Sequence, residues 1–337
     1  MAVLVTGAAG FIGAATSRML LERGDEVAGI DNLNDYYDPA LKQARLTNLE
    51  RQFGDRFRFQ RIDFSDAHAL NAFADTIEID GIVHLGAQAG VRYSLKNPQA
   101  YVQSNLVGHT NMLELARARR PRHMVYASSS SVYGGNKSLP FRVEDRVDHP
   151  LSLYAATKKA DELLSESYSS LYRLALTGLR FFTVYGPWGR PDMAMYIFAK
   201  AITDGHPIRL FNRGEMRRDF TYIDDVTEAI ERIIAKIPVH TEQRSSRNLD
   251  PSTSTAPWRI YNIGNNRSVE VPLVVSLLEK ELGHTAKIEL APMQPGDVPE
   301  TRADVDDLMR DVGFRPATLI EDGVRKFVDW YREYHQC

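Results

Sequence analysis

The sequence has little cysteine, no long apolar run and no excess of charge of one sign. Its single cysteine among 337 residues is Cys337, which excludes a disulfide framework and a thiolate metal site. No apolar stretch approaches the ~20 residues of a membrane-spanning helix. A formal net charge of −3 offers no attraction to nucleic acid or to an anionic membrane. The chain opens on a strand-like segment with no signal peptide before it, so we expect a soluble cytoplasmic protein that binds no metal ion, nucleic acid or membrane.

The sequence does contain a regular alternation of strand-like and helix-like segments over residues 1–181. Continuous apolar strands between amphipathic helices are typical of a parallel sheet that is covered on both faces. The predicted fold class is α/β: a Rossmann-type doubly wound parallel sheet over 1–181, then a smaller C-terminal α/β substrate domain over 182–337. The predicted strands are Val3–Thr6, Glu26–Ile30, Phe57–Arg61, Gly81–Leu85, His123–Ala127 and Ala175–Arg180.

Helix-like stretches between these strands include Gly13–Arg23, Ala67–Asp75 and Tyr101–Ala118. Two segments of the second half, near 219–237 and 259–264, are expected to return to the first domain, and the former contains a helix-like stretch with acidic residues at its start. Residues 239–257 carry almost no apolar side chains and predict a mobile surface loop.

A glycine-rich loop, Thr6–Gly13, follows the first predicted strand and opens the first helix. Glycine lets the backbone turn tightly and approach a pyrophosphate, and the helix N-terminus offers N–H donors. Asp31 ends the second predicted strand, where a carboxylate accepts both ribose hydroxyls of NAD and repels the 2′-phosphate of NADP. NAD is therefore the predicted cofactor, and the alternative is a plain glycine-rich turn. The predicted contacts are Gly7, Gly10, Phe11, Ile12, Gly13, Asp31 and Asn32.

Two further strand ends extend this predicted cofactor site. Asp63 and Phe64 follow the third strand, where a carboxylate could meet the adenine amino group and a ring could flank it. Leu85, Gly86 and Ala87 end the fourth strand and leave space for a dinucleotide, so Leu85 and Ala87 are predicted contacts. Simple packing at the strand ends is the alternative for both.

A tyrosine and a lysine stand four residues apart, at Tyr154 and Lys158, after a strand-like run that ends in four serines. If residues 153–172 form a helix, this spacing places both side chains on one face. A free tyrosine titrates near pH 10. A cation within a few ångströms favours the phenolate, which can take a proton from an alcohol. A solvated helix face is the alternative meaning of the pair.

The glycine loop, the strand-end serine and the Tyr154/Lys158 pair together resemble the extended short-chain dehydrogenase/reductase superfamily of nucleotide-sugar enzymes. Longer phrases are similar to one branch, the UDP-glucuronate 4-epimerases. The resemblance spans about Val3 to Tyr331 and rests on Asp31–Tyr37 (DNLNDYY), Gln88–Ser94 (QAGVRYS), Ser152–Lys159 (SLYAATKK), Gly178–Met193 (GLRFFTVYGPWGRPDM) and Gly214–Phe220 (GEMRRDF).

This resemblance implies roles for individual residues. Tyr154 would be the base, Lys158 would favour its phenolate and hold the nicotinamide ribose, and Ser129 would hydrogen-bond the same substrate oxygen. Ser128 or Ser130 could take the place of Ser129, since the sequence does not settle which serine reaches the substrate. The predicted substrate contacts are Gln88, Arg92, Ser129, Ser130, Thr183, Arg190, Arg218 and Asp297.

Thr183 and Arg190 are the candidates for the substrate carboxylate, because an arginine can bind it bidentately and hold it in the ring plane. Arg92 is a second candidate for the uronate or phosphate end. By resemblance, Arg218 would clamp the pyrophosphate and Asp297 would bind the uridine ribose.

The resemblance also discriminates between reactions. The water-eliminating branch carries an Asp-Glu pair where this chain has Ser130 and Ser131, and the decarboxylating branch carries a glutamate at the position of Ser131. The implied function is an NAD-dependent isomerase that converts UDP-glucuronate reversibly into UDP-galacturonate through a 4-keto intermediate. A UDP-glucuronate decarboxylase, a UDP-glucose/galactose 4-epimerase and an NAD-binding protein with a dead site are the alternatives. A homodimer formed through helices at about 101–118 and 154–172 is also implied.

Overall fold

The computed structural model describes residues 2–241, 250–294 and 296–337. Its strands lie in three sheets, and its longer helices cover them. The strands are β1 Ala2–Thr6, β2 Glu26–Asp31, β3 Phe57–Arg61, β4 Ile79–His84, β5 His123–Ser129, β6 Leu176–Phe181, β7 Thr183–Tyr185, β8 Pro207–Leu210, β9 Arg217–Tyr222, β10 Trp258–Ile263, β11 Ser268–Glu270 and β12 Lys287–Leu290. The α-helices are α1 Phe11–Arg23, α2 Pro39–Phe53, α3 Ala67–Ala74, α4 Pro98–Tyr101, α5 Gly108–Arg119, α6 Leu153–Tyr172, α7 Ala194–Thr203, α8 Ile223–Ala235, α9 Val271–Leu282, α10 Asp306–Val312 and α11 Ile320–His335.

The main sheet has seven parallel strands in the order β10-β6-β5-β4-β1-β2-β3. Strands β1 and β6 are buried along their whole length, as expected for inner strands of a parallel sheet that helices cover on both faces. The strand order reverses between β1 and β4, as in the doubly wound Rossmann arrangement. The predicted α/β fold class is confirmed.

Two segments from the second half of the chain do pack on the first. Strand β10 pairs in parallel with β6, so the segment predicted near 259–264 is an edge strand of the main sheet. Helix α8 lies beside α1, and the guanidinium of Arg18 is 3.6 Å from the carboxylate of Asp224. One apolar core joins residues of both halves, from Val3 to Phe327. The division at residue 181 therefore stays a prediction.

The structure modifies two of the sequence predictions. The predicted helix Tyr101–Ala118 is divided by a π-helical turn, Val102–Val107, which lies between α4 and α5. Of the predicted mobile loop 239–257, residues 242–249 lie outside the described residues, while Ser252 and Ala256 are buried. The Ser254 hydroxyl donates to the Glu166 carboxylate on α6 at 2.7 Å, and the Ile260 N–H on β10 donates to the Ser252 carbonyl oxygen at 2.9 Å, so this part packs on the protein and is not a loose loop.

The remaining strands form two small sheets, β11-β9-β7 and β12-β8, beside the carboxyl ends of the main strands. Strand β7 follows β6 after a single residue, so Thr183 lies where the main sheet meets the second half of the chain. Across the ranges that the structure describes, we find no helix with the length and apolar character needed to cross a bilayer.

Candidate active site

A cavity of about 970 Å³ opens at the carboxyl ends of the main strands and continues beneath the two small sheets. In open α/β sheets, ligands bind at this edge, where the strand order reverses. The volume falls within the range of small-molecule and cofactor sites. All the predicted site residues line the cavity except Asp63, so the fold brings together groups that are up to 290 positions apart, from Gly7 to Asp297.

The glycines at the loop between β1 and α1 stand where a side chain would not fit. Gly7 has a φ of +68°, and a Cβ atom there would lie 2.9 Å from the Cα of Gly86. A Cβ on Gly13 would lie 2.0 Å from the carbonyl oxygen of Gly7. At the N-terminus of α1, beside Phe11 and Ile12, the backbone at these glycines is therefore not covered by side chains. This cradle fits the pyrophosphate of a dinucleotide, which needs close backbone approach and free N–H donors.

Asp31 is buried at the end of β2, and one carboxylate oxygen accepts a hydrogen bond from the backbone N–H of Leu33 at 2.8 Å. The Lys42 ammonium lies 4.0 Å from the same oxygen. Asp63 does not line the cavity; its carboxylate accepts a hydrogen bond from the side-chain amide of Asn32 at 3.0 Å. This hydrogen bond holds Asn32, and the contact of Asp63 with an adenine stays a prediction.

Tyr154 and Lys158 lie on the first turns of α6, which begins at the Ser152 cap. The Ser152 hydroxyl accepts a hydrogen bond from the Ala155 N–H at 3.1 Å, as capping serines do. The buried Lys158 ammonium donates to the Ala127 carbonyl oxygen and to Asp161, each at 3.0 Å. Both predicted catalytic side chains of the helix thus face the cavity, and the solvated-face alternative is wrong.

The four serines at the end of β5, Ser128–Ser131, are not equivalent. The Ser128 hydroxyl donates to the Glu162 carboxylate at 2.7 Å, so its proton points away from any ligand. The Ser129 hydroxyl accepts a hydrogen bond from the Ser131 N–H at 3.2 Å and keeps its own proton available. This arrangement favours Ser129 over Ser128 as the donor to a substrate oxygen, and Ser130 lines the cavity beside it.

A buried ion pair fixes these serines relative to α6. The Arg180 guanidinium on β6 donates to both carboxylate oxygens of Glu162, at 2.9 and 3.0 Å. Both side chains are fully buried. Burial by itself would raise the pKa of Glu162, but the charge and hydrogen bonds of Arg180, together with Lys159 and Ser128, outweigh that effect and leave the pKa lowered. The pair therefore stays ionised and joins β5, β6 and α6 beneath the cavity.

Arg190 presents only part of its guanidinium to the cavity. Its Nε and one Nη donate to the Asp192 carboxylate, at 3.0 and 2.5 Å. The Tyr36 hydroxyl donates to the same carboxylate at 3.0 Å, and burial together with Asp192 raises the pKa of Tyr36 to about 12. One edge of the fork is thus engaged, so a bidentate grip on a second carboxylate requires the other edge. Thr183 faces the same region from β7.

At the far end of the cavity, Asp297 joins two arginines from different parts of the chain. Arg218 on β9 donates to its carboxylate at 2.8 Å, and the Arg92 guanidinium lies 3.5 Å away. The Arg92 guanidinium also lies 4.7 Å from the centre of the Phe211 ring, a cation–π distance. Two cations beside an aromatic ring are suited to a nucleoside diphosphate.

The sequence interpretation missed Lys42, Asp192 and Asn105. Lys42 and Asp192 line the cavity. Their roles follow only from the ion pairs that the fold creates, Lys42 with Asp31 and Asp192 with Arg190. Asn105 lies in the π-helical turn, where its amide bonds the backbone of Gln88 and the Thr157 hydroxyl. Such turns often occur at functional sites. No local sequence pattern pointed to it.

Comparison with known proteins agrees with this geometry. The model of the family described as "NAD dependent epimerase/dehydratase family" matches residues 3–245. A Rhizobium meliloti protein named "Probable UDP-glucuronate 4-epimerase" is 46% identical, covering 100% of this chain and 98% of that protein.

Two solved structures share the architecture over 99% of this chain and 100% of their own. A Bacillus cereus UDP-glucuronic acid 4-epimerase, in complex with UDP-glucuronic acid and NAD, has a TM-score of 0.86 at 32% identity. A Thermotoga maritima UDP-glucose 4-epimerase with UDP-glucose has a TM-score of 0.84 at 27% identity. The chain belongs to the NAD dependent epimerase/dehydratase family.

Proposed function

We propose that this protein is an NAD-dependent UDP-glucuronate 4-epimerase, which converts UDP-glucuronate reversibly into UDP-galacturonate without decarboxylation. The observation that carries the proposal is the meeting of Tyr154, Lys158 and Ser129 with the glycine cradle and Asp31 in one cavity. Full-length relatives and structural neighbours with this activity support the choice of substrate.

NAD, when bound along Gly7–Gly13 and Asp31, supplies a reversible acceptor for the hydrogen on C4 of the sugar. Tyr154 takes the proton of the 4-hydroxyl, and Ser129 donates a hydrogen bond to the same oxygen. Lys158 stabilises the negative charge of the phenolate and would donate a hydrogen bond to the nicotinamide ribose. The 4-keto sugar then turns within the cavity, so that C4 can take the hydride back on its opposite face while Tyr154 returns the proton to the 4-oxygen.

The substrate carboxylate must be held so that the 4-keto intermediate, a β-keto acid, keeps its CO2. Thr183 and the free edge of Arg190 are proposed to bind it, with the Asp192 pairing fixing the direction of the guanidinium. Ser130 and Ser131, which line the cavity here, provide no acid or base to assist the loss of CO2 or water. Both serines favour the epimerase over the decarboxylase alternative.

The rest of the substrate extends toward Arg218, Asp297 and Arg92, which we propose as the pyrophosphate and ribose contacts. Gln88 and Ser130 complete the predicted substrate contacts. In this proposal residues 1–181 bind NAD and most of 182–337 bind the UDP-sugar, so catalysis takes place at their junction.

An NMR time course of the purified enzyme with UDP-glucuronate and NAD tests the proposal. The expected product is UDP-galacturonate, with no UDP-pentose. Accumulation of a UDP-pentose would establish the decarboxylase instead, and turnover of UDP-galactose at a comparable kcat/KM would establish a neutral-sugar epimerase.

Tyr154→Phe should reduce kcat by at least ~100-fold, because general base catalysis typically contributes that much. Activity of this variant within a few-fold of wild type would contradict the assignment of the base.

We further propose a cytosolic homodimer that pairs the helices at about 101–118 and 154–172. Leu163 and Leu171 on α6 are 60% and 69% exposed, and Val102 and Val107 are also exposed on the adjoining π-helical turn. A second copy would cover these apolar side chains in a four-helix bundle. Light scattering should give twice the mass of the chain, and Leu163→Glu should shift the protein toward monomer.

A further inference from the structure

One buried carboxylate beside Lys158 has no part in the reaction described above. Asp161 lies on α6, one turn after Lys158, and is fully buried. One of its oxygens accepts a hydrogen bond from the Lys158 ammonium at 3.0 Å. The other is buried with no hydrogen-bond partner. Such an arrangement is costly to a folded protein, because a desolvated carboxylate needs partners for its lone pairs.

The surroundings of this pair hold few other charges. On α6 itself, Glu162 is neutralised by Arg180 of β6, and the Lys159 ammonium lies 3.5 Å from the same carboxylate. His109 on α5 and His84 on β4 face the Lys158 side, and burial lowers the pKa of both, so each ring is neutral near pH 7. Tyr126 on β5 is neutral as well, because burial raises its pKa far above the usual value. Among the described residues, Asp161 is the one carboxylate within salt-bridge distance of Lys158.

Asp161 therefore limits how much positive potential Lys158 projects at Tyr154. A bare ammonium in a buried site attracts any nearby anion strongly, since screening by water is weak there. A carboxylate 3.0 Å from that ammonium cancels part of its field. It also fixes the ammonium direction, together with the Ala127 carbonyl oxygen, and leaves one N–H for a ligand.

We propose that Asp161 is a positioning residue that holds the Lys158 ammonium and partly balances its charge, and so sets the pH range in which Tyr154 works as a base. This rests on the proposed function of Tyr154 and Lys158. Burial, opposed by Lys158, raises the pKa of Asp161 to about 6. Asp161 therefore offsets part of the Lys158 charge above about pH 6, and this effect is lost below about pH 6, where Asp161 is protonated.

The sign of the effect follows from the charges. Asp161→Asn keeps the shape of the side chain and removes the negative charge, so the phenolate of Tyr154 becomes easier to form. The acid limb of kcat/KM should move to lower pH by about one unit, a shift of the size that a partly screened charge produces. Below about pH 6 the two profiles should converge, because the wild-type carboxyl group is then neutral too.

The experiment compares the kcat/KM profile for UDP-glucuronate from pH 5 to 9 in the wild type, Asp161→Asn and Asp161→Glu. Glu166→Gln, on the same helix and hydrogen-bonded to Ser254, is the matched control and should leave the acid limb in place. Asp161→Glu restores a carboxylate and should move the limb back toward wild type. A uniform fall in kcat with an unmoved limb would show that Asp161 only supports the fold and would overturn the proposal.

A second measurement does not depend on the sugar. Ultraviolet absorbance of tyrosinate, titrated in the NAD-bound enzyme and corrected with Tyr154→Phe in each background, reports the ionisation of Tyr154 directly. A shift to lower pH in Asp161→Asn supports the proposal even if UDP-glucuronate proves to be the wrong substrate, and no shift overturns it even if epimerisation is confirmed. Asp161→Ser, which removes the charge in a smaller side chain, provides the same comparison if the asparagine variant does not fold.

Discussion

At the scale of single residues, three cations that line the cavity are each paired with a carboxylate of the protein. Lys158 pairs with Asp161, Arg190 with Asp192 and Arg218 with Asp297. Each pairing fixes a flexible cation in one direction, which lowers the entropic cost of binding a ligand. It also leaves donors on each cation for phosphate, ribose or carboxylate groups.

The glycine cradle makes a prediction at this scale. Gly13→Ala would place a methyl group 2.0 Å from a backbone oxygen, so the loop must move and the pyrophosphate site must change shape. We expect the purified variant to carry much less NAD, measured by releasing and assaying the bound nucleotide. Gly81→Ala on β4 is the control, since a Cβ there meets its nearest neighbour at an ordinary 3.7 Å. Equal NAD content in both variants would contradict the assigned role of the loop.

At the scale of elements, the Glu162–Arg180 pair ties α6 to the ends of β5 and β6. Breaking a buried pair by removing one partner leaves the other charge uncompensated, which typically costs several kcal/mol. Because Ser128 also donates to Glu162, the position of the serines depends on this pair. Stability and the placing of the site are therefore coupled through α6.

Glu162→Gln should lower the free energy of unfolding by about 3 kcal/mol, because Arg180 stays buried without its counter-charge. Urea denaturation measures the change. Glu166→Gln, one turn further along α6 and only partly buried, should cost about 1 kcal/mol or less, as loss of one typical hydrogen bond does. A similar loss of unfolding free energy in the two variants would mean that the buried ion pair stabilises the fold no more than one partly buried hydrogen bond does.

At the scale of the whole molecule, the parallel sheet buries ionisable groups whose titration affects global stability. His123 on β5 is hydrogen-bonded to Thr177 and to the Ile234 carbonyl oxygen, and burial lowers its pKa from 6.5 to about 4. The unfolded chain thus binds a proton below about pH 6.5 that the folded protein does not accept until about pH 4. Stability from this group is present above pH 6.5 and declines as the pH falls.

Between pH 7 and pH 5, the wild type should lose about 2 kcal/mol of unfolding free energy through His123 alone. His123→Gln should remove that part of the pH dependence, although the variant is less stable at pH 7. Urea denaturation at both pH values measures the difference, with the exposed His284→Gln as the control. An unchanged difference between pH 7 and pH 5 in His123→Gln would contradict this account.

Sequence alone was enough to predict the Rossmann sheet, the glycine loop, Asp31 and the Tyr154/Lys158 pair. Each of these is a local pattern: apolar runs follow from burial on both faces, the three glycines from a backbone without room, and the i, i+4 spacing from helix geometry. The family followed from phrases of several residues. Such features depend on short stretches of sequence, so they can be identified without knowing the tertiary structure.

Tertiary structure decided which polar side chains of the site are already hydrogen-bonded within the protein and which can still bind a ligand. Only the folded chain shows that Ser128 donates its hydroxyl proton to Glu162 and that Asp63 accepts a hydrogen bond from Asn32. It also shows that one edge of the Arg190 guanidinium is hydrogen-bonded to Asp192. Those partners lie up to 34 positions apart along the chain. Hydrogen bonds and ion pairs depend on distance in space, and a sequence pattern carries no distance between residues remote from one another. The sequence therefore determined the cofactor-binding fold and the Tyr154/Lys158 pair, while packing determined the charges around that pair.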